Sequence, residues 1–124
     1  MTKKAHFSDL VGKTLISIDG CRAGSDTITF TCSDGTVYRQ LQDDYLGDVF
    51  VESVNGDTQN IIGRKIVIAE EKSNVDAPPR KGSESYTWTF YTIATVKGYL
   101  DIRWYGESNG YYSETADFEE VCKA

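Results

Sequence analysis

The stretch from Ser85 to Tyr112 constrains the fold more than any other part of this chain, because it holds nine of the fifteen aromatic residues and both tryptophans. Threonine, valine, isoleucine, tyrosine and tryptophan dominate it, and these residue types favour β-strands. Lys97-Gly98 predicts a two-residue turn near its middle, since glycine readily adopts the positive φ that such turns need. The sequence therefore predicts a long β-hairpin.

The pairing register of this hairpin stays open between two alternatives. A two-residue turn at Lys97-Gly98 places Tyr91 opposite Trp104, whereas a one-residue bulge places Phe90 opposite Trp104. In both alternatives, aromatic side chains lie on both faces of the hairpin. One face is expected to meet the other strands, and the second to be covered by a loop, by the C-terminal tail or by a partner.

Shorter strand patterns precede and follow the hairpin. The run from Thr27 to Cys32 alternates cleanly, with Ile28, Phe30 and Cys32 expected to point inward. Residues 48–54 are apolar on both faces around Phe50, which predicts a central strand. Further strands are predicted at about 13–19, 36–41, 64–71 and 111–118, with a turn at Asp34-Gly35 and one helical turn from Asp57 to Ile62 that Gly63 ends.

Together these patterns predict one domain, residues 1–124, of the mainly β (β-rich α+β) class. We expect either a single antiparallel, strongly twisted sheet or a small sandwich or half-barrel, with about six to eight strands and one short helix. Residues 1–9 are expected to form a polar N-terminal leader, and residues 72–84, which contain both prolines, a mobile loop. A chain of 124 residues buries enough surface to fold without disulfides or metals.

The negative charge, −6 overall, is concentrated in two blocks that contain no lysine or arginine. The first runs from Leu41 to Gly63 and the second from Tyr105 to Val121, and each holds five acidic residues. Such a surface repels phosphate backbones and attracts basic proteins. We therefore expect a protein with a basic surface as the partner, and no direct contact with nucleic acid. In the competing interpretation, the acids only keep a small protein soluble.

The residue types that support catalysis or metal binding are sparse. His6, the one histidine, lies in the polar leader, and Cys21, Cys32 and Cys122 show no C-x-x-C spacing. The acids from Asp43 to Glu52 do not match a calcium-binding loop. No apolar run is long enough for a membrane span, and no targeting segment is evident. The expectation is a cytoplasmic protein that is not an enzyme and uses no metal or cofactor.

A recognition surface is predicted where the hairpin ends. Glu107 follows Arg103-Trp104-Tyr105 and precedes Asn109 and two tyrosines, which combines a carboxylate, an amide and phenols at one strand end. Aromatic residues and arginine dominate the residues that contribute most to protein binding. In the competing interpretation, Trp104 and the tyrosines belong to the core and Arg103 pairs with Asp101 or Glu84. The core is favoured for Trp104, whereas both interpretations stay open for Tyr105, Tyr111 and Tyr112.

Four segments resemble a family of small domains of unknown function that bacteriophages and prophages mainly encode. They are LVGKTLISIDG, GSDTITFTCSDGTVYR, VFVESVNGDTQNIIGRKIVIAEE and SYTWTFYTIATVKGYLDIRWYGESNGYYSETADF, and the run IRWYGESNGYYSE within the last is the most specific. The histidine and Cys-Cys pair of many family members are absent here, where residues 41–46 read LQDDYL. The resemblance implies a phage accessory protein that acts in the cytoplasm of the bacterial host.

Our leading hypothesis is a small acidic accessory protein that binds and inhibits a host protein, in its most specific form an anti-defence, anti-CRISPR-like inhibitor. The alternative is a small-ligand-binding module that uses the aromatic hairpin. A hydrolase using Glu107 is disfavoured, because no motif positions a second group. The residues predicted to contact the partner are Asp43, Asp44, Asp48, Glu52, Tyr105, Glu107, Asn109, Tyr111, Tyr112 and Glu114.

Overall fold

The structure is a computed structural model that describes residues 2–41, 48–73, 85–108 and 116–121, with the backbone alone described at 48, 73, 85–87 and 107–108. Nine strands and two short 3-10 helices form the regular elements of these ranges. The strands are β1 (Thr2–Lys4), β2 (Leu15–Asp19), β3 (Thr27–Cys32), β4 (Val37–Leu41), β5 (Asp48–Gly56), β6 (Ile68–Ser73), β7 (Ser85–Thr95), β8 (Gly98–Ser108) and β9 (Asp117–Val121). The 3-10 helices span Phe7–Leu10 and Thr58–Asn60. The prediction of a mainly β fold is confirmed.

The strands form two antiparallel sheets that enclose one hydrophobic core. The five-stranded sheet has the order β1-β9-β4-β3-β2, and the four-stranded sheet has the order β5-β8-β7-β6. The core contains side chains from both sheets, including Phe30 and Phe118 from the first and Tyr91 and Trp104 from the second. Of the arrangements that the sequence left open, the small sandwich is the one observed.

Alternation along β3 and β4 produces the inner face of the five-stranded sheet. Ile28, Phe30 and Cys32 are buried, as predicted, while the threonines between them face outward. On β4, Tyr38 is buried and its ring stacks on that of Phe118, with 5.2 Å between the ring centroids. Offset stacking of two aromatic rings adds to the hydrophobic gain of burying them.

The N-terminal residues expected as a polar leader belong to the fold. β1 pairs with β9, with Thr2 opposite Val121. Phe7, in the first 3-10 helix, is 3% exposed, and its ring centroid lies 4.8 Å from that of Tyr91. Burial of one large aromatic side chain contributes about 1.5–3 kcal/mol, so this segment is part of the core despite its polar composition.

The turn of the long hairpin lies one residue earlier than predicted. Thr95 pairs with Gly98, which leaves Val96 and Lys97 as the turn, and Tyr91 lies opposite Ile102. Both registers left open by the sequence are therefore wrong. The observed register differs by two positions from the one predicted for a two-residue turn. The two-residue-turn alternative nevertheless places Tyr91 and Trp104 on the same face, as observed, because a shift of two positions does not change the face.

Thr95 explains where the turn begins. Its hydroxyl donates to the carbonyl oxygen of Asn60 and accepts from the backbone N–H of Lys97 at 3.2 Å. The predicted turn from Asp57 to Gly63 supplies this contact: Asp57 accepts from the backbone N–H of Gln59 at 2.9 Å, and Gly63 has φ of +84°. The cap and the glycine stop are confirmed.

β5 is an edge strand, which corrects the prediction of a central position. Its outer edge is partly covered by a loop, because the N–H of Gly24 donates to the carbonyl of Val51 and the N–H of Val51 donates to the carbonyl of Ser25, both at 2.7 Å. Such pairing satisfies backbone groups that an open edge would expose. The apolar side chain of Phe50 lies on the reverse face of β5, where its ring packs on that of Tyr105 with 5.8 Å between the ring centroids.

Two further boundaries differ from the predictions. β6 begins at Ile68, and Lys65 instead bridges to Thr14 in the region that joins the two sheets. Ile66 is fully buried and Ile68 is 42% exposed. The two side chains therefore do not lie on one face, as a continuous strand over 64–71 would require. The last described strand is 117–121, whereas residues 111–115 of the predicted tail strand and 74–84 of the predicted loop lie outside the described residues.

Candidate functional site

The outer face of the four-stranded sheet carries aromatic and charged side chains that are exposed or half-buried, among them Phe90, Tyr99 and Arg103. Here "outer face" means the side of β5 to β8 that points away from the core. Strand pairing arranges it in cross-strand rows: one contains Ser53, Arg103 and Phe90, and the next contains Asp101 and Thr92. These residues alternate along the strands with buried ones, so the same pattern that builds the core also builds this face.

An aromatic row lies at one end of the outer face. The Tyr105 ring centroid is 5.8 Å from that of Phe50 and 5.6 Å from that of Trp88. Tyr105, one of the predicted contact residues, is only 4% exposed. Packing between two neighbouring rings leaves its side chain little area for a partner, so the structure favours the core interpretation of Tyr105.

Glu52 sits at a β-bulge, between the pairs Val51–Trp104 and Ser53–Arg103. Its carboxylate accepts from the Arg103 guanidinium at 2.7 Å and from the Trp88 indole N–H at 3.3 Å. Bulges redirect a side chain, and this one aims a carboxylate at two donors. The sequence-based pairing of Arg103 with Asp101 or Glu84 is thus replaced by a pair with Glu52. As a result, Glu52 carries a compensated charge.

A concave site of about 390 Å³ lies beside this ion pair. The Asp101 carboxylate accepts from the Thr92 hydroxyl at 2.6 Å within it, and Phe90 forms an apolar wall with its side chain 40% exposed. The site is lined by Ser53, Asn55, Phe90, Thr92, Asp101, Ile102 and Arg103. None of these residues is among the predicted partner contacts, although the alternation in β7 and β8 places several of them on one face.

The register of β5 and β8 brings together two of the predicted contact residues. Asp48 lies directly opposite Glu107 at the end of the sheet where β5 begins and β8 ends. Like charges directly opposite each other destabilise a strand pair. The two acidic blocks of the sequence therefore join the sheet at one place, since residues 42–47 precede Asp48 and residues 109–115 follow Ser108 in the chain.

Other acids of the same two blocks are used elsewhere. Asp57 caps a 3-10 helix, and Glu119 pairs with Arg39 at 2.7 Å on the five-stranded sheet. Asp57 and Glu119 are thus engaged in contacts within the domain. The remaining predicted contact residues lie outside the described residues: Asp43, Asp44, Asn109, Tyr111, Tyr112 and Glu114.

The described cysteines are poor nucleophiles. Burial raises the pKa of the Cys21 thiol to about 11 and also raises that of Cys32. The thiolate is the reactive species, so a raised pKa suppresses reaction near neutral pH. Within residues 2–41, 48–73, 85–108 and 116–121, no three His, Cys, Asp or Glu side chains converge as a metal site would require. The same ranges contain no helix that is long and apolar enough to cross a membrane.

Residues 8–118 match a protein family described as "Domain of unknown function (DUF7448)". The chain belongs to this family. The match begins within the first 3-10 helix and ends at Phe118 in β9, so it includes every described strand of the DUF7448 domain except β1 and the last three residues of β9. No curated protein and no solved structure gives a significant match.

Proposed function

We propose that this DUF7448 domain binds a partner protein through the acidic end of its four-stranded sheet, defined here as Asp48 and Glu107. The supporting observation is the β5–β8 register, which sets Asp48 opposite Glu107. A like-charged pair at this position opposes folding, and a basic partner would relieve that repulsion. Charge complementarity of this kind speeds association and selects partners.

The partner in this proposal is a host protein with a basic surface, and the consequence of binding is inhibition. The resemblance of the sequence to phage-encoded domains supports this direction, as does the net charge of −6. An anti-defence protein of the anti-CRISPR type is its most specific form, because nucleases that bind nucleic acid present basic grooves that an acidic protein can occupy. The proposed mode is occupation of a surface, without catalysis, in the cytoplasm of the bacterial host.

Affinity purification from the bacterium that carries the gene, followed by mass spectrometry, tests this proposal. We expect a basic protein to co-purify at low salt and to dissociate as salt is added, because exposed charge pairs are screened by salt. The purified partner should lose its own activity when the DUF7448 domain is added. Co-purification that is insensitive to salt, or a partner with no basic surface, contradicts the acidic-end mechanism.

A further inference from the structure

The concave site on the outer face lies two rows from the acidic end and has a different chemistry. The row of Arg103 and Phe90 and the row of Asp101 and Thr92 lie side by side, and both line the site. Its volume of about 390 Å³ suits a small molecule. The site is independent of the protein contact proposed above.

The polar groups of this site are held in place before any ligand arrives. The Thr92 hydroxyl donates to Asp101 at 2.6 Å, and the Arg103 guanidinium is fixed by Glu52 at 2.7 Å. Arg103 and Asp101 are two residues apart on β8, so their side chains leave the same face of a rigid strand. Groups fixed in this way lose little conformational entropy when a ligand binds.

The charges of the site favour a neutral ligand. An anion would meet the Asp101 carboxylate, and a cation would meet the Arg103 guanidinium, because the lining carries side chains of both charges. A hydroxyl group suits both, because it donates to a carboxylate and accepts from a guanidinium. Asn55 and Ser53 add an amide and a further hydroxyl to the lining. The lining thus offers both hydrogen-bond acceptors and hydrogen-bond donors.

Phe90 adds the apolar component. Its side chain is 40% exposed although it lies in the middle of a sheet face, so a flat aromatic surface borders the polar groups. The face of an aromatic ring is negatively polarised and attracts weakly positive C–H groups. A ligand that fits therefore combines one apolar C–H face with a rim of hydroxyl groups.

A pyranose ring has these two properties, and we propose that this site binds a neutral sugar. The ring packs its C–H face on Phe90, and its hydroxyl groups donate to Asp101 and accept from Arg103. Thr92 and Glu52 act as positioning residues that hold those two groups. The sequence suggested a small-ligand-binding module as the alternative function. The proposal assigns that module a location and a class of ligand.

Amide chemical shifts of the ¹⁵N-labelled domain test this proposal against defined probes. The probes are glucose, galactose, mannose, N-acetylglucosamine, maltose, cellobiose and lactose, with adenosine monophosphate, glycine and lysine as charged comparisons at equal concentration. We expect at least one sugar to shift amides of β7 and β8 around Phe90, Thr92, Asp101 and Arg103 in a saturable way. If no sugar in the panel does so, or if a charged comparison shifts these amides more strongly, the proposal is overturned.

Substitutions at two exposed aromatic side chains on the outer face provide a matched comparison. Phe90→Ala removes the proposed stacking surface and should abolish the shifts caused by sugar, whereas Phe90→Tyr should keep them. Tyr99→Ala removes a residue that is 49% exposed, lies on β8 and does not line the site, and it should leave binding unchanged. The wild-type amide pattern elsewhere in each spectrum confirms folding. Equal loss in Phe90→Ala and Tyr99→Ala contradicts the assigned site.

Discussion

The indole N–H of Trp104 donates to the side-chain oxygen of Gln40 at 2.8 Å, and this hydrogen bond crosses the core from one sheet to the other. Both side chains have no exposed surface. A buried polar group costs free energy unless it is hydrogen-bonded, and inside a core such a bond is directional where hydrophobic contact is not. The pair therefore fixes how the candidate site on the four-stranded sheet sits relative to the five-stranded sheet.

Replacing Trp104 by Phe should destabilise the domain strongly. The change removes buried volume and leaves the Gln40 oxygen without its donor, so we expect a loss of about 2–4 kcal/mol in the free energy of unfolding. Urea unfolding followed by circular dichroism measures it. Trp88→Phe is the matched control, because Trp88 is only partly buried and should cost less. Equal losses in the two variants contradict the assigned role of the Trp104–Gln40 pair.

Alanine substitutions at two glycines with positive φ distinguish the cost of backbone strain from the cost of a steric clash. Gly56 has φ of +110°, and a Cβ there would lie 2.5 Å from the carbonyl oxygen of Tyr99. Gly24 has φ of +89° and open space around its Cβ position. Gly24→Ala should cost about 1 kcal/mol from conformation alone, and Gly56→Ala about 2–4 kcal/mol because the β5–β8 pair must also move. Thermal unfolding measures both variants. If Gly56→Ala is no less stable than Gly24→Ala, the close approach of Gly56 to the Tyr99 carbonyl oxygen is ruled out.

Asp34 makes stability depend on acid pH. The hydrogen bond from Lys13 at 2.7 Å, and then that from the backbone of Thr36, hold the pKa of the Asp34 carboxyl well below its usual range. A carboxyl whose pKa is lowered by folding stabilises the protein above its unfolded pKa of about 4, and this contribution disappears as pH falls through the folded pKa.

Asp34→Asn keeps an oxygen for the Thr36 N–H but removes the negative charge. We expect the wild type to melt at a higher temperature than this variant at neutral pH, and the difference to shrink steadily below about pH 4. Melting curves recorded across this range provide the measurement. A difference that does not change with pH would show that the Asp34–Lys13 charge pair contributes nothing.

The thiols of half-buried Cys21 and buried Cys32 should resist modification. Because burial raises the pKa of Cys21 to about 11, its thiolate is scarce at pH 8. A Cys122→Ser variant confines the measurement to Cys21 and Cys32, and we expect it to react with Ellman's reagent far more slowly when folded than in denaturant. The folded rate should climb as the pH approaches 11. Rapid reaction of the folded variant at pH 8 contradicts the burial of these side chains.

Local patterns in the sequence predict the strands well, because alternation and turn residues act over a few positions. Thr27–Cys32 has the predicted bounds, and Asp57 caps the predicted turn. The two-residue shift of the hairpin has a non-local cause, since Thr95 bonds to Asn60 in another part of the chain. The edge position of β5 likewise depends on the loop at Gly24 and Ser25, which no pattern within β5 reveals.

The candidate sites show the same difference between what local sequence patterns predict and what non-local contacts decide. Charge counting found Asp48 and Glu107, but only the register shows that they lie opposite each other. The pair between Glu52 and Arg103 depends on a bulge, and a one-residue bulge leaves no distinct mark in a strand of mixed residues. The sugar site requires Phe90, Asp101 and Asn55 from three strands, so only tertiary structure assembles it.

The acidic end is tested most directly by measuring how tightly the partner captured from the bacterial host binds three versions of the domain. Asp48→Asn with Glu107→Gln removes the paired charges, and Asp19→Asn with Glu70→Gln removes two exposed acids elsewhere. We predict that the first double variant binds about tenfold more weakly than the wild type at low salt, since two exposed charge contacts contribute about 1.4 kcal/mol together. The second should bind like the wild type. Equal affinity in all three, or no partner captured by the wild type, contradicts the account.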